Sequence, residues 1–208
     1  MSSYIMHMCI SNLVKNRLNL TDKFVFGSIL PDNLKSITGD RRTTHYIQEV
    51  IIDGEQRRLP DVSRAIKELH IQDKETRLGY IAHLVEDFIW FNEYIPAYAT
   101  ELENNQIKYL ADDSIHTGNE FRQDIYSDYT NSNAYVVDRC GIDIEKLIGN
   151  LRNIAKDEEQ INLIVQNAVF LENTNINNNK FMTKESIDNY IERCTNEVEK
   201  LVLELLGE

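Results

Sequence analysis

The sequence predicts an all-α fold, a single-domain multi-helix bundle around a buried central helix. One short β-hairpin is predicted beside the helices. Apolar residues recur at helical spacing in several stretches, most cleanly over 187–205. The stretch 78–91 is apolar on nearly every side, which is typical of a helix buried in a core. The chain of 208 residues is 42% hydrophobic and shows no repeat or composition break. We therefore expect residues 1–208 to form one helical domain.

The first third of the chain contains one predicted helix, one predicted connection and the hairpin. Residues 5–18 carry apolar side chains on a helical period. Residues 24–32 combine apolar residues with a Gly and a Pro-Asp pair, which predicts a buried connection that ends in a turn at Asp32. Residues 45–59 alternate loosely around an Asp-Gly pair, the commonest signal for a two-residue hairpin.

Helices also dominate the rest of the chain. Asp73 is a good N-cap for the central helix, which Pro96 is expected to end or kink. Gly141 predicts a helix end and Thr183 a helix start in the second half. Asparagine dominates 173–179, which predicts a loop. The other predicted helices are 61–70, a weak one over 97–112, 120–137, 143–154, 158–171 and the last one after Thr183.

The charge balance argues against several classes of protein. Lys and Arg total 22 against 34 Asp and Glu, a formal net charge of -12. Such a chain is not expected to bind a nucleic-acid duplex or an anionic membrane. The three cysteines are far apart and no secretory signal precedes Cys9, so we expect a cytoplasmic protein without a disulfide framework. No apolar run approaches the roughly 18 residues of a transmembrane segment.

The predicted central helix contains two polar residues that a plain core helix does not need. His83 and Asp87 are four residues apart, so they project from one face beside an apolar stripe. A buried imidazole and carboxylate must be satisfied by hydrogen bonds, by each other or by a metal. An internally paired His-Asp couple is the simpler interpretation, and further ligands elsewhere in the chain would favour a metal.

Three more potential ligands lie in the first half. His7 shares a helix face with apolar residues, Asp32 ends the predicted connection, and His45 begins the predicted hairpin. His and Asp are ligand types that suit zinc or a similar divalent ion. Together with His83 and Asp87 they exceed the needs of one centre, and a shared carboxylate would let them hold two metals roughly 4 Å apart. A set of unrelated core and surface residues is the alternative.

Four motifs in the first half resemble those of a known family. They are 4–8 around His7, 27–32 ending in Asp32, 44–46 around His45, and 78–87 with His83 and Asp87. In order and context they are similar to the zinc-dependent phospholipase C family, which shares an all-helical fold with fungal single-strand-specific nucleases. The likeness covers residues 1–95, from which the metal site would be built, whereas the second half is similar only in being helical.

The resemblance implies a set of roles. Asp32, His45 and His83 would hold one zinc ion, and Asp87 would bridge to a second that His7 also holds. A phosphodiester would bind across the two ions, and one ion would activate the attacking water. Asp32 is also a candidate general base, although a ligated carboxylate is a weakened base.

Two further features depend on the family pattern. The N-terminal amine of Ser2, exposed if the initiator Met is removed, would complete the second metal site, and a frayed terminus is the competing interpretation. Family members also hold a third metal through a His shortly after the bridging Asp, and this chain has no His there. The remaining candidates for a third site are His116 with Glu120, which have the later spacing, and Asp128. We therefore expect two ions, or two with a weakened third site, and not a full set of three.

Other notable residues have two interpretations each. The pairs Arg41-Arg42 and Arg57-Arg58 could hold a substrate phosphate or form solvated turns. Trp90, with tyrosines at helical spacing after it, could line a substrate mouth or belong to the core. His70 is expected to cap a helix end.

The sequence leaves three classes of function open. The first is a zinc-dependent phosphodiesterase or phospholipase C-like hydrolase acting on a small phosphodiester or a phospholipid-headgroup-type substrate. The second is a degenerate relative that binds metal or a phosphorylated ligand without turnover. The third is a helical interaction protein without metal. An HD-type phosphohydrolase is disfavoured because no His is directly followed by Asp.

Overall fold

The computed structural model describes residues 3–52, 54–155, 157–168 and 174–207. In these ranges the chain forms a mostly-α, multi-helix domain with two small antiparallel sheets, which confirms the predicted fold class. None of the helices in the described ranges is long and apolar enough to cross a membrane.

The N-terminal half contains the elements that build the candidate site. Its helices are α1 (Tyr4–Leu18), α2 (Asp22–Thr38), α3 (Arg41–Thr44), α4 (Val62–Glu68) and α5 (Lys74–Ile89). Its strands are β1 (Ile47–Ile52) and β2 (Glu55–Pro60).

The second half begins where α5 passes into a π-helical turn, Trp90–Tyr94, and the short α6, Ile95–Tyr98. A three-stranded sheet follows, made of β3 (Ala99–Glu101), β4 (Gln106–Tyr109) and β5 (Ile115–Thr117), with a 3-10 turn at Glu103–Asn105. The later helices are α7 (Gly118–Cys140), α8 (Ile144–Ile154), α9 (Glu158–Ala168) and α10 (Lys184–Gly207), with a 3-10 turn at Ile176–Asn178.

Local capping chemistry explains where the main helices begin and end. The Asp73 carboxylate accepts from the backbone N–H of Thr76 at 2.9 Å and so starts α5 as predicted. Gly141 ends α7 with a φ of 62°, a conformation that glycine adopts without a steric penalty. The Thr183 hydroxyl accepts from the backbone N–H of Ser186 at 3.1 Å and starts α10. Of the predicted helix over 158–171, residues 169–171 lie outside the described ranges.

The predicted hairpin is present. β1 and β2 pair antiparallel, from Ile47 opposite Pro60 to Ile52 opposite Glu55. Gly54 has a φ of 84°, as the turn of a two-residue hairpin requires. Asp53, the other turn residue, is outside the described ranges.

The prediction of a buried connection over 24–32 is wrong. These residues lie inside α2, which continues through Pro31 to Thr38, and Asp32 is a helix residue and not a turn residue. Pro31 removes one backbone donor, but the apolar side chains around it are fully buried and packing outweighs that loss. Glycine and proline end a helix only where tertiary contacts do not compensate for their unfavourable effect on helix stability.

The predicted weak helix over 97–112 is also wrong. Only its first two residues are α-helical, and β3, the 3-10 turn, β4 and the start of the following turn account for the rest. Ala99 pairs with Tyr109 across the sheet, and the Tyr109 hydroxyl donates to Asp124 of α7 at 2.7 Å. The helical periodicity of this segment is weak, so long-range strand pairing and the burial of Tyr109 determine its secondary structure.

The central helix α5 is buried on nearly all sides, as predicted, and packs against α1, α2, α4 and α10. Its closest neighbour is α2. A Cβ atom added at Gly79 would overlap the carbonyl oxygen of Phe24, and one added at Gly27 would overlap the carbonyl oxygen of Thr76. The two glycines therefore let the backbones of α2 and α5 approach in a way that no larger side chain permits.

We predict that Gly79→Ala lowers the free energy of unfolding by at least about 2 kcal/mol, because the added methyl group has no space between α2 and α5. Urea unfolding followed by circular dichroism measures this.

Gly149→Ala in α8 is the control. A Cβ there meets no atom within 4 Å, so the change should stabilise the protein by about 0.5 to 1 kcal/mol through helix propensity alone. Equal effects of the two substitutions would contradict the close approach of α2 and α5.

Candidate metal centre

The five predicted ligands meet at one place in the fold. His7 comes from α1 and Asp32 from α2, His45 follows the last residue of α3, and His83 and Asp87 lie one turn apart on α5. The three imidazoles and Asp87 are fully buried, and Asp32 is 7% exposed. Residues 75 or more positions apart in sequence thus share one polar site inside an apolar core.

Three of these residues form the first potential ligand group. Nε2 of His45 lies 3.2 Å from Nε2 of His83 and 3.4 Å from Oδ1 of Asp32. Tetrahedral zinc with bonds of about 2.0 to 2.1 Å separates its ligand atoms by about 3.3 Å. These two separations therefore match the distance between neighbouring ligand atoms of a zinc ion.

The second potential ligand group shares His83 with the first. It consists of His7, His83 and Asp87, and the ligand atoms in each group lie within 4.8 Å of one another. Nε2 of His7 lies 3.6 Å from Oδ1 of Asp87, and the His7 and His83 rings stack with centroids 3.8 Å apart.

The two carboxylate oxygens of Asp87 face different neighbours. Oδ1 faces His7, whereas Oδ2 lies 3.9 Å from Nε2 of His45 and 4.0 Å from Nε2 of His83. Oδ2 also accepts a hydrogen bond of 3.2 Å from Arg41. A carboxylate between two groups of nitrogen ligands has the geometry needed to bridge two cations.

Hydrogen bonds at Nδ1 set the tautomers of His83 and His45. Nδ1 of His83 donates to the carbonyl oxygen of Ser28 at 2.7 Å. The Thr44 hydroxyl donates its proton to the carbonyl oxygen of Asp40. The hydroxyl oxygen therefore accepts from Nδ1 of His45, at 2.9 Å. Each ring therefore keeps its lone pair on Nε2.

Those two lone pairs point at each other across 3.2 Å. Two neutral imidazoles cannot satisfy one another in this arrangement, because neither Nε2 carries a proton to donate. A cation between them accepts both lone pairs. This is the observation by which the residues of the site fit a metal ion.

Glu86 is the site residue that the sequence interpretation missed. It is fully buried, and its Oε2 accepts from Nδ1 of His7 at 2.7 Å. This bond turns the lone pair of Nε2 toward Asp87, in the way that outer carboxylates orient metal-binding histidines. A glutamate next to Asp87 in an otherwise apolar helix was the available signal.

The ionisation states suit metal binding. Burial lowers the pKa of His45 and of His83, so both rings are neutral. Burial opposes ionisation of Asp32, but its contact with His45 and the positive charges of Lys35 and His7 hold its pKa below the usual range. Burial also opposes ionisation of Asp87, but nearby positive charge, including that of Arg41, and a hydrogen bond with His7 hold its pKa well below the usual range. Neutral imidazoles and charged carboxylates are the forms that coordinate metals.

His7 differs from the other two histidines. Burial disfavours its charged form, but Glu86 and Asp87 outweigh that cost and raise its pKa to about 9. Without a cation, the proton on His7 balances part of the negative charge of the cluster. Burial raises the pKa of Glu86.

The candidate ligands of a third metal site, His116 and Glu120, do not belong to this cluster of His and Asp residues. His116 stacks on Tyr109 with centroids 3.9 Å apart, and its Nε2 lies 2.8 Å from the Ser114 hydroxyl. The Glu120 carboxylate accepts from the backbone N–H of Thr117 at 2.8 Å and closes a capping box at the start of α7. Neither residue belongs to a ligand group in the described part of the chain.

Asp128 is buried for a structural reason. Its carboxylate accepts from the backbone N–H groups of Lys180, Phe181 and Met182, at 2.8 to 2.9 Å. It therefore holds the segment that leads into α10. The proposed ligand Ser2 lies outside the described ranges.

The arginine pairs and the aromatic band separate into different roles. Arg41 reaches Asp87, whereas Arg57 donates to the Asn92 carbonyl and Arg58 pairs with Glu49 on the hairpin. Trp90 is buried and stacks on Tyr94, and it meets Tyr98, Tyr129 and Tyr190 at tilted or edge-on angles, which favours the core interpretation.

Comparisons of the chain with models of protein families, with curated proteins and with solved structures give no match. The likeness to the zinc-dependent phospholipase C family therefore stays a prediction from four short motifs. The buried His and Asp groups that could hold a metal ion stand on their own geometry.

We predict that Asp87→Asn removes at least one of two bound ions per chain, because an amide supplies neither the charge nor the second oxygen of a bridging carboxylate. Elemental analysis after dialysis against zinc measures the loss. His116→Ala is the matched control and should keep both ions, and equal losses in the two variants would place His116 in the metal site.

We also predict that Glu86→Gln weakens zinc binding at the His7 site by about 10- to 100-fold, because an amide no longer fixes the tautomer of His7. Competition with a chromogenic chelator measures the affinity. Glu93→Gln, at an exposed ion pair with Arg193, is the control and should bind zinc as the wild type does. An unchanged affinity in Glu86→Gln would remove Glu86 from the site.

Proposed function

We propose that this protein is a phosphoric-ester hydrolase that depends on two divalent cations, zinc in the first instance, and that resembles zinc-dependent phospholipase C. The observation that supports it most is the position of Asp87 inside a buried site, where Oδ1 faces His7 and Oδ2 faces His45 and His83. Phosphodiester cleavage is a reaction for which two adjacent cations are suited.

Asp32, His45 and His83 would hold one cation, and His7 the other, with Asp87 between them. A set of imidazole nitrogens and carboxylate oxygens suits zinc better than magnesium or calcium, which prefer oxygen ligands alone. When bound, the cations neutralise charge on the non-bridging oxygens of a phosphodiester and lower the pKa of a water molecule that attacks phosphorus.

The residues of the chain itself would position the substrate. Arg41 contacts Asp87 and lies over the ring of Phe91, with its guanidinium 5.0 Å from the ring centroid. Its side chain is 34% exposed, so it connects the buried cluster with solvent. A guanidinium in that position can bind two oxygens of a phosphate group that approaches the cations.

Asp32 would act as a ligand and not as the general base. Its low pKa and its contacts with His45 and Lys35 make it a poor proton acceptor near neutral pH. The negative net charge of the chain also supports a small substrate, such as a soluble phosphodiester or a phospholipid-type headgroup, over a nucleic-acid duplex.

A non-catalytic metal-binding protein is the second candidate. It is favoured by the residues after Asp87, where the family pattern would place a ligand of the third metal. This chain has no His in the segment, and Trp90 there is part of the aromatic core. A helical interaction protein without metal is disfavoured, because no cation would accept the facing lone pairs of His45 and His83.

We predict slow hydrolysis of bis(p-nitrophenyl) phosphate that stops when a chelator removes the metal and returns when zinc is added. His83→Ala should abolish it, since His83 belongs to both ligand groups. Absorbance of the released p-nitrophenolate measures the rate. A protein that is fully loaded with zinc and shows no turnover with any phosphodiester would favour the non-catalytic candidate.

Arg41→Met tests how the substrate is held. It should raise the KM by about tenfold without loss of bound zinc, because a charge-assisted contact with the phosphate is removed. Arg58→Met, at an exposed ion pair on the hairpin, is the matched control and should leave KM unchanged.

A further inference from the structure

A cavity of about 320 Å³ is lined by Asp32 and by no residue of α5. The first residues of α1, the second half of α2 and the middle of α7 enclose it. Its volume is at the lower end of the range for small-molecule sites. Its lining includes Ile5, Asp32, Lys35, Ser36, Tyr126 and Thr130.

Eight of the eleven lining residues carry a hydroxyl or an amide group, three of them on tyrosine rings, and Ile5 is the aliphatic residue among them. The hydroxyls of Ser36 and Thr130 donate to backbone carbonyls, so their oxygens can accept further hydrogen bonds. A cavity of this chemistry favours a ligand that carries several hydroxyl groups.

Lys35 joins the cavity to the metal cluster. Its ammonium nitrogen lies 3.4 Å from Oδ1 of Asp32, and its side chain is 25% exposed. The ammonium group is thus next to a carboxylate that would bind a cation, at the wall of an open cavity. In that position it can bind a phosphate oxygen and repels a cationic ligand.

Tyr126 forms the opposite wall. It is 46% exposed, and its hydroxyl makes no hydrogen bond to any residue that the structure describes. Its ring packs edge-on against Tyr129, with centroids 5.8 Å apart. Burial and the negative charges of Asp32 and Asp87 raise the pKa of Tyr126, so its hydroxyl keeps its proton and can donate a hydrogen bond.

We infer that this cavity receives the polyhydroxylated substituent, such as a glycerol or sugar group, of a phosphoric ester bound at the metal centre. Lys35 binds the phosphate and the Tyr126 hydroxyl binds a hydroxyl of the substituent. This inference rests on the proposed function and gives it a substrate class. A quaternary ammonium substituent fits less well. Lys35 repels its positive charge, and Asp32, the carboxylate in the lining, would be bound to the metal and so would not pair with it.

Binding of two phosphate monoesters to the zinc-loaded protein tests the inference without turnover. Glycerol 3-phosphate and propyl phosphate have the same carbon chain, and they differ in two hydroxyl groups. We expect glycerol 3-phosphate to bind at least about fivefold more tightly in titration calorimetry, as one or two added hydrogen bonds imply. Equal binding of the two esters would overturn the inference.

Variants assign the preference to named residues. Tyr126→Phe keeps the ring and removes the hydroxyl, so it should abolish most of the difference between the two esters. Lys35→Met should weaken both esters by about tenfold and leave their ratio unchanged. Tyr135→Phe, also on α7 but paired with Asp188, is the control and should preserve the ratio. A Tyr126→Phe variant that keeps the full preference would contradict the role of Tyr126.

Two sources of glycerol phosphate esters are distinguished by the form of the substrate. Water-soluble glycerophosphoglycerol is compared with dipropyl phosphate, and phosphatidylglycerol vesicles are compared with phosphatidylpropanol vesicles, which carry the same charge and lack the headgroup hydroxyls. Faster cleavage of the glycerol ester in either form supports the inference, and the form that shows the preference identifies the source. Equal cleavage, or faster cleavage of the propyl ester, in both forms would overturn it.

The failure of this inference is distinct from failure of the proposed function. Inorganic phosphate should bind the zinc-loaded protein and not the chelated protein. If it binds neither, the metal-dependent function fails. If it binds the loaded protein while the two monoesters bind equally, the metal centre stands and the substrate class is wrong.

Discussion

The close approach of α2 and α5 is the contact on which the rest of the site depends. Gly27 and Gly79 remove the side chains that would separate the two backbones. At this distance Nδ1 of His83 reaches the carbonyl of Ser28, and Asp32, one helical turn further along α2, faces the same space. A helix pair held apart by ordinary side chains would place these ligands on unrelated surfaces.

The site combines this backbone contact with a balance of buried charge. Asp32, Glu86 and Asp87 are carboxylates inside a core, and the described groups that face them supply positive charge through His7, Arg41 and Lys35. Burying charge is costly unless it is paired. A divalent cation would relieve the repulsion among the carboxylates, so metal binding and the stability of the fold should be coupled.

Much of the site was accessible from the sequence because its signals are local. A helical period places His7, His83 and Asp87 on apolar faces, and histidine or aspartate on such a face needs a partner. The cap at Asp73 and the helix end at Gly141 depend on neighbouring residues alone, so they too follow from the sequence.

The tertiary structure decided what depends on distant residues. α2 continues through Pro31 because packing against α5 outweighs one lost hydrogen bond, and Tyr109 joins a sheet because Ala99 and α7 offer partners. Glu86 gained its role only when α1 placed His7 beside it. The sequence by itself determined which residue types are available as ligands and on which helix faces they lie. Folding determined which of them meet, because the distance between residues far apart in the chain is set by helix packing and not by local periodicity.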